Sequence, residues 1–151
     1  MQISRTKNFT RAAGLAAATL AAVALAVPGN AQAAPVPAYW TVDCDKFPAD
    51  GDPGAHDLTA LIYRTNDPGK AAKATFKAAT EKLSINNWSG AMMGYKLQWA
   101  NASGTAIERT WEFDMGSGNS RVEDFAIPEG RKVYISVGTP GGSTAFCNGI
   151  A

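Results

Sequence analysis

Cys44 and Cys147 are the only cysteines in the chain, and their placement constrains the fold more than any other feature. One intramolecular pairing is available to them. It would close a loop of about 100 residues and bring the two ends of the body side by side. A redox or metal role needs a CxxC-like spacing or histidines nearby. Neither accompanies these cysteines, so the pair reads as a structural bridge, the kind formed in an oxidising compartment.

The first residues agree with that compartment. Arg5, Lys7 and Arg11 precede an Ala- and Leu-rich run over residues 12–27, which ends at Pro28-Gly29. Ala31-Gln32-Ala33 then offers a small-x-small cleavage site. This is the order of a secretory signal peptide, with a run too short and too Ala-rich for a good membrane span. The expectation is a signal over residues 1–33 and a secreted domain over 34–151, outside the cell and not membrane-bound. Ser4-Arg5-Thr6-Lys7 lacks paired arginines, and no cysteine near the cleavage site would take a lipid. Removing the signal takes three basic residues and no acidic ones, leaving eleven Lys and Arg against thirteen Asp and Glu. A basic footprint for nucleic acid is therefore missing.

The body reads as strands. Leu58-Thr59-Ala60-Leu61-Ile62-Tyr63 is an apolar β-former run that ends at the turn Asn66-Asp67-Pro68-Gly69, as a strand buried on both faces or at a sheet centre would. Leu83 and Ile85 alternate with polar neighbours, as do Tyr95, Leu97 and Trp99. Ile107, Trp111, Phe113 and Met115 form an apolar series interrupted by Arg109, while Glu108, Thr110, Glu112 and Asp114 line the opposite face. Alternation with period two predicts antiparallel sheet with one wet face. A hairpin over 94–115 and strands over 132–137 and 144–147 follow. Residues 71–83 have helical propensity in their alanines, but the turn before them and the alternation after them favour two strands. The phase shift between Phe76 and Leu83 then calls for a bulge near 78–80. Residues 50–56, rich in Gly, Pro and Asp, read as a loop. Seven to eight strands separated by Gly, Pro, Asn and Asp turns predict an antiparallel β-sandwich, tied end to end by one disulfide.

The segment Ala74-Thr75-Phe76, then Glu81-Lys82-Leu83-Ser84-Ile85 and the late Ile127-Pro128-Glu129-Gly130-Arg131-Lys132-Val133, resembles small secreted single-domain β proteins of actinobacteria. Thr80 stands where those proteins often carry glycine, and the second disulfide of some is missing. The resemblance implies a disulfide-linked β-domain outside the cell; it implies no activity.

Candidate chemistry is sparse. His56, the single histidine, sits in Gly54-Ala55-His56-Asp57 with no G-x-S-x-G elbow anywhere, so it reads as an exposed loop residue and not as part of a triad. A small ribonuclease with a Glu base and a late His acid is excluded, because the chain has no late histidine. Glu112 and Asp114 alternate onto one strand face about 6.6 Å apart, near the spacing of paired-carboxylate glycosidases, and a solvated strand face competes with that reading. Asp43, Asp45, Asp50, Asp52 and Asp57 crowd the start of the domain without an EF-hand pattern. No metal or cofactor is assigned to them.

The strongest binding candidates lie around Trp88. This tryptophan stands with Asn86, Asn87 and Ser89 just before the loop Gly90-Ala91-Met92-Met93-Gly94. An aromatic platform beside amides suits a glycan, by stacking and hydrogen bonding, whereas Trp99 and Trp111 fall on apolar faces as core. The same loop presents Met92 or Met93 to a protease pocket in the manner of a substrate-like inhibitor. The expectation is a non-enzymatic secreted domain binding an extracellular or cell-wall glycan, with protein binding or protease inhibition as the alternative. A carboxylate-dependent hydrolase is the third reading.

Overall fold

A computed structural model describes residues 39–140 and 142–151. The expected signal, residues 1–33, lies outside them. The described residues form nine strands: β1 Trp40–Ala49, β2 Asp52–Arg64, β3 Asp67–Lys77, β4 Lys82–Asn87, β5 Met93–Ala100, β6 Ile107–Met115, β7 Asn119–Asp124, β8 Lys132–Gly138 and β9 Thr144–Ile150. They make two antiparallel sheets, a five-stranded one ordered β1-β2-β3-β4-β7 and a four-stranded one ordered β6-β5-β8-β9. The β-sandwich expected from the alternation is the fold, with nine strands where seven to eight were expected.

Each sheet turns one alternating face inward, because only that face carries apolar side chains. Leu58, Ala60 and Ile62 of β2, Ala72, Ala74 and Phe76 of β3, and Leu83 and Ile85 of β4 are buried. They meet Met93, Tyr95, Leu97 and Trp99 of β5, Val133, Ile135 and Val137 of β8, and Ala145 and Cys147 of β9 in one core. The even residues of β2, not the whole run, supply the core: Thr59, Leu61 and Tyr63 are only half-buried. Truncating a residue such as Leu97 would cost about 2–5 kcal/mol through lost transfer and the cavity left behind.

Two segments differ from the sequence expectation. Residues 52–56 extend β2 instead of forming a loop, and the acidic stretch before them is β1, in register with β2 from Trp40↔Arg64 onward. Asp43 and Asp45 are exposed on its outer face, so β1 carries little apolar signal. Its backbone ladder and the Cys44–Cys147 bridge hold it instead, with Cα atoms 5.4 Å apart. Residues 71–83 are indeed two strands. The expected irregularity is a 3₁₀ turn, Ala78–Thr80, closed by Glu81 at φ +52°, which reverses the chain between β3 and β4 where a bulge was expected. Glu81 also accepts a bond from the Ile127 N–H at 2.7 Å.

The bridge joins β1, an edge of one sheet, to β9, an edge of the other. The opposite edges, β6 and β7, have no such tie. Trp111 points inward by register with Leu97, yet it is 46% exposed, because β7 faces it with polar side chains in place of an apolar wall. Arg121 of β7 stacks over the Phe113 ring at 5.1 Å and pairs with Glu123. Trp111 meets Phe125 edge-on at 5.4 Å. Trp99 is core as expected, at 7% exposure.

Burial pushes the Tyr95 phenol above its ordinary value of 10.0, and its hydroxyl donates to the Asn86 carbonyl at 2.9 Å. The folded state keeps this proton where the unfolded chain releases it, so stability should decline as pH rises past about 10. Lys77, raised by its hydrogen bond to Asp57 and then by that carboxylate's charge, adds its own decline as pH rises past its ordinary value of 10.5 toward the raised folded one. Urea unfolding of Tyr95→Phe across alkaline pH should show a flatter decline than the parent, with a loss of about 1 kcal/mol at neutral pH from the missing hydrogen bond.

Candidate functional site

The outer face of the four-stranded sheet carries an open depression. Strand pairing sets Asp114, Gly94, Gly138 and Thr144 in one row across β6, β5, β8 and β9. Two adjacent glycines remove the side chains from the middle of this row, and the face sinks there. The flanking groups lean over the gap. A Cβ built on Gly138 would meet Thr144 Oγ1 at 2.8 Å, and one on Gly94 would meet Asp114 Oδ1 at 3.4 Å. The result is a depression of about 550 Å³, with Met92 and Pro140 among its walls and Lys96, Glu112 and Ser136 along its floor. Carboxylate acceptors, hydroxyls and an exposed thioether converge on it, a set suited to a polyhydroxylated ligand with one apolar face.

The structure separates the five residues singled out around Trp88. Asn86 alternates with the buried Ile85 and Asn87 and so lies on the outer face of the five-stranded sheet. Met92, 55% exposed, borders the depression on the other sheet. Trp88 is 39% exposed just past the end of β4, its backbone N–H donating to the Ala71 carbonyl at 2.9 Å. Asn87 and Met93 are inside, at 2% and 0% exposure, and neither presents a group to a ligand.

Asn87 instead holds the loop together. Its amide donates to the Ala91 carbonyl at 2.8 Å and the Met115 carbonyl at 2.7 Å. Its Oδ1 accepts from the Ser89 N–H at 3.0 Å and the Ser89 hydroxyl at 2.6 Å. The Gly90 N–H, at φ +80°, donates to Ser117 Oγ. The Met92 loop is thus fixed by a buried polar network. At the same end of the sandwich the Arg64 guanidinium stacks over Trp40 at 5.3 Å.

The remaining candidates resolve differently. Glu112 is 63% exposed and bonded to Lys96 at 2.6 Å, and Asp114 sits on the same open face. Neither is shielded from water as the acid of a hydrolytic pair needs to be. His56 is not an exposed loop residue. It lies half-buried on β2, with Nδ1 enclosed and unpartnered among the described residues. The acidic stretch is dispersed: Asp57 accepts from Lys77 and the Ala78 N–H, and Asp52 accepts from the Gly54 N–H. Asp52 also raises the carboxyl of Glu129, by a hydrogen bond and then by its charge. Among the described residues no three His, Cys, Asp or Glu side chains converge as a metal site would require, and no helix is long and apolar enough to cross a membrane.

The trough residues Gly94, Ser136, Gly138 and Thr144 escaped the sequence reading. Their signal was a glycine at the end of each of two β-patterned runs, which reads from the sequence as turn; only the pairing of β5 with β8 brings the two together. No protein-family model, curated protein or solved structure matches this chain.

Removing the Asn87 network should unfasten the loop. Asn87→Ala strands the Met115 carbonyl and the Ser89 N–H and leaves the Ala91 carbonyl only the Ser89 hydroxyl, at a cost of about 2–3 kcal/mol. Denaturant unfolding checks this figure; a loss under about 0.5 kcal/mol would show that water replaces the amide.

Proposed function

We propose that this protein is a secreted, non-enzymatic domain that binds an extracellular or cell-wall glycan in the trough on its four-stranded sheet. The observation that carries the reading is the Gly94–Gly138 depression, where Asp114, Ser136 and Thr144 supply hydrogen-bonding groups and Met92 an apolar wall. Sugar hydroxyls both donate and accept, so a carboxylate flanked by hydroxyls can engage a vicinal pair, while the thioether covers the C–H face of the ring. The open, shallow shape suits a chain of sugars passing across the sheet. The signal-like residues 1–33 and the bridge support an extracellular setting.

The alternative, a protein-binding or protease-inhibitory loop, draws support from the same hydrogen bonds. Inhibitory loops need bracing, and Asn87 and Ser117 provide it here without a nearby disulfide. In that reading Met92 enters a partner's pocket.

Binding of the mature protein to a panel of oligosaccharides and wall polysaccharides decides between them. Asp114→Ala should weaken glycan binding about tenfold or more, the size of one lost charged hydrogen bond, while Trp88→Ala leaves it intact. Binding that survives Asp114→Ala but vanishes with Trp88→Ala would move the site to the end of β4. Protease inhibition abolished by Met92→Ala, with no glycan retained, would favour the alternative.

A further inference from the structure

A second cavity, about 360 Å³, lies at the seam where β9 meets β1 and β2. Its lining is unusual in sign. Lys46 of β1, Lys132 and Tyr134 of β8, Asn148 of β9 and His56 of β2 surround it, and no Asp or Glu is among them. Five acid–lysine or acid–arginine pairs occur among the described residues, and neither Lys46 nor Lys132 belongs to one. Lys132 extends toward the β5–β6 turn, its Nζ 3.5 Å from where a Cβ on Gly104 would stand, and Lys46 brings a positive charge to a cavity that no carboxylate lines.

The cavity is built by backbone as well as charge. Gly149 forms part of its wall, and a Cβ there would come within 2.9 Å of both His56 Cβ and Leu58 Cδ2. Only glycine lets β9 press this closely against the His56 side chain. His56 Nδ1, meanwhile, is buried without a partner among the described residues. The Lys46 ammonium, the Tyr134 phenol and the Asn148 amide can donate here with no carboxylate among the lining residues, and the ligand chemistry that matches such donors is a multi-oxygen anion.

The cavity also stands beside the trough. Tyr134, in its wall, stacks on Phe146 at 5.9 Å between ring centres, and Phe146 pairs across the sheet with Ser136 of the trough floor. Phe146 is 51% exposed. Ser136 and Lys132 are four residues apart on β8, about 13 Å. Trough, aromatic step and cationic cavity thus follow one another along the sheet.

We propose that the seam cavity is an anion subsite that takes a carboxylate or phosphate group. This rests on the cavity's own geometry. That the group is carried on the glycan, crossing Phe146 from the trough, rests in addition on the function proposed above.

The test is a titration of the ¹⁵N-labelled mature protein with three probes: inorganic phosphate, a glucuronic-acid oligosaccharide and its neutral counterpart. Phosphate should shift the amides of Lys46, His56 and Asn148, and Lys46→Gln with Lys132→Gln should weaken that response about tenfold. Both lysines are exposed, so the double variant keeps the fold. A charged oligosaccharide binding more tightly than the neutral one, with the advantage lost in the double variant, places the anion on the glycan. Phosphate binding with no difference between the oligosaccharides makes the site one for a free anion, and phosphate binding with neither sugar bound removes the glycan reading alone. No phosphate or glucuronate response at these residues, or an equal response in the double variant, overturns the subsite.

Discussion

Two sheets, each apolar on one face only, must cover each other, and the Cys44–Cys147 bridge decides which edge of that pair is closed. It fastens β1 to β9, contributing up to about 4–5 kcal/mol on the chain-entropy view for a loop of this length. The core between the sheets then follows from the alternation of β2, β3 and β4 against β5, β8 and β9. Along the closed edge Gly149 permits the close approach of β9 to His56. Along the far edge, where no bridge exists, β7 brings Arg121, paired with Glu123, over the Phe113 ring of β6.

That asymmetry shapes what the surface can do. The outer face of the five-stranded sheet is laced with neutralising contacts, Lys77 with Asp57 and Lys82 with Asp124, and with short hydroxyl side chains such as Thr59, Thr75 and Ser84. Phe47 and Val122 are exposed on the same face. The four-stranded sheet, by contrast, is interrupted by Gly94 and Gly138 and overlooked by Met92, so its outer face has relief. A binding domain needs such relief, because a ligand gains affinity by being enclosed and oriented.

How far this was legible in the sequence depends on which force fixed each part. The 94–115 hairpin, β4 and β8 were legible because an apolar period of two can be satisfied in only one way. β1 and β7 were not: Asp43, Asp45, Ser120 and Asp124 face water, and a strand held by its backbone ladder and a disulfide leaves no apolar pattern to read. Trp111 misled for a related reason, since an inward position at an uncovered edge is still half-exposed. Around Trp88 the sequence shows a cluster of amides, but polarity alone could not tell an amide offered to a ligand from one spent inside, as Asn87 is. The trough was hidden because it is made from two glycines, Gly94 and Gly138, 44 positions apart in the chain, and only sheet order makes them neighbours.

The measurement that bears most directly on the proposed function is amide shift mapping with solubilised cell-wall polysaccharide. A binding face on the four-stranded sheet would confine the perturbed amides to Gly94, Lys96, Ser136, Gly138, Thr144 and their neighbours. Shifts clustered at Asn86 and Trp88, or along Trp111 and Arg121 at the open edge, would contradict it.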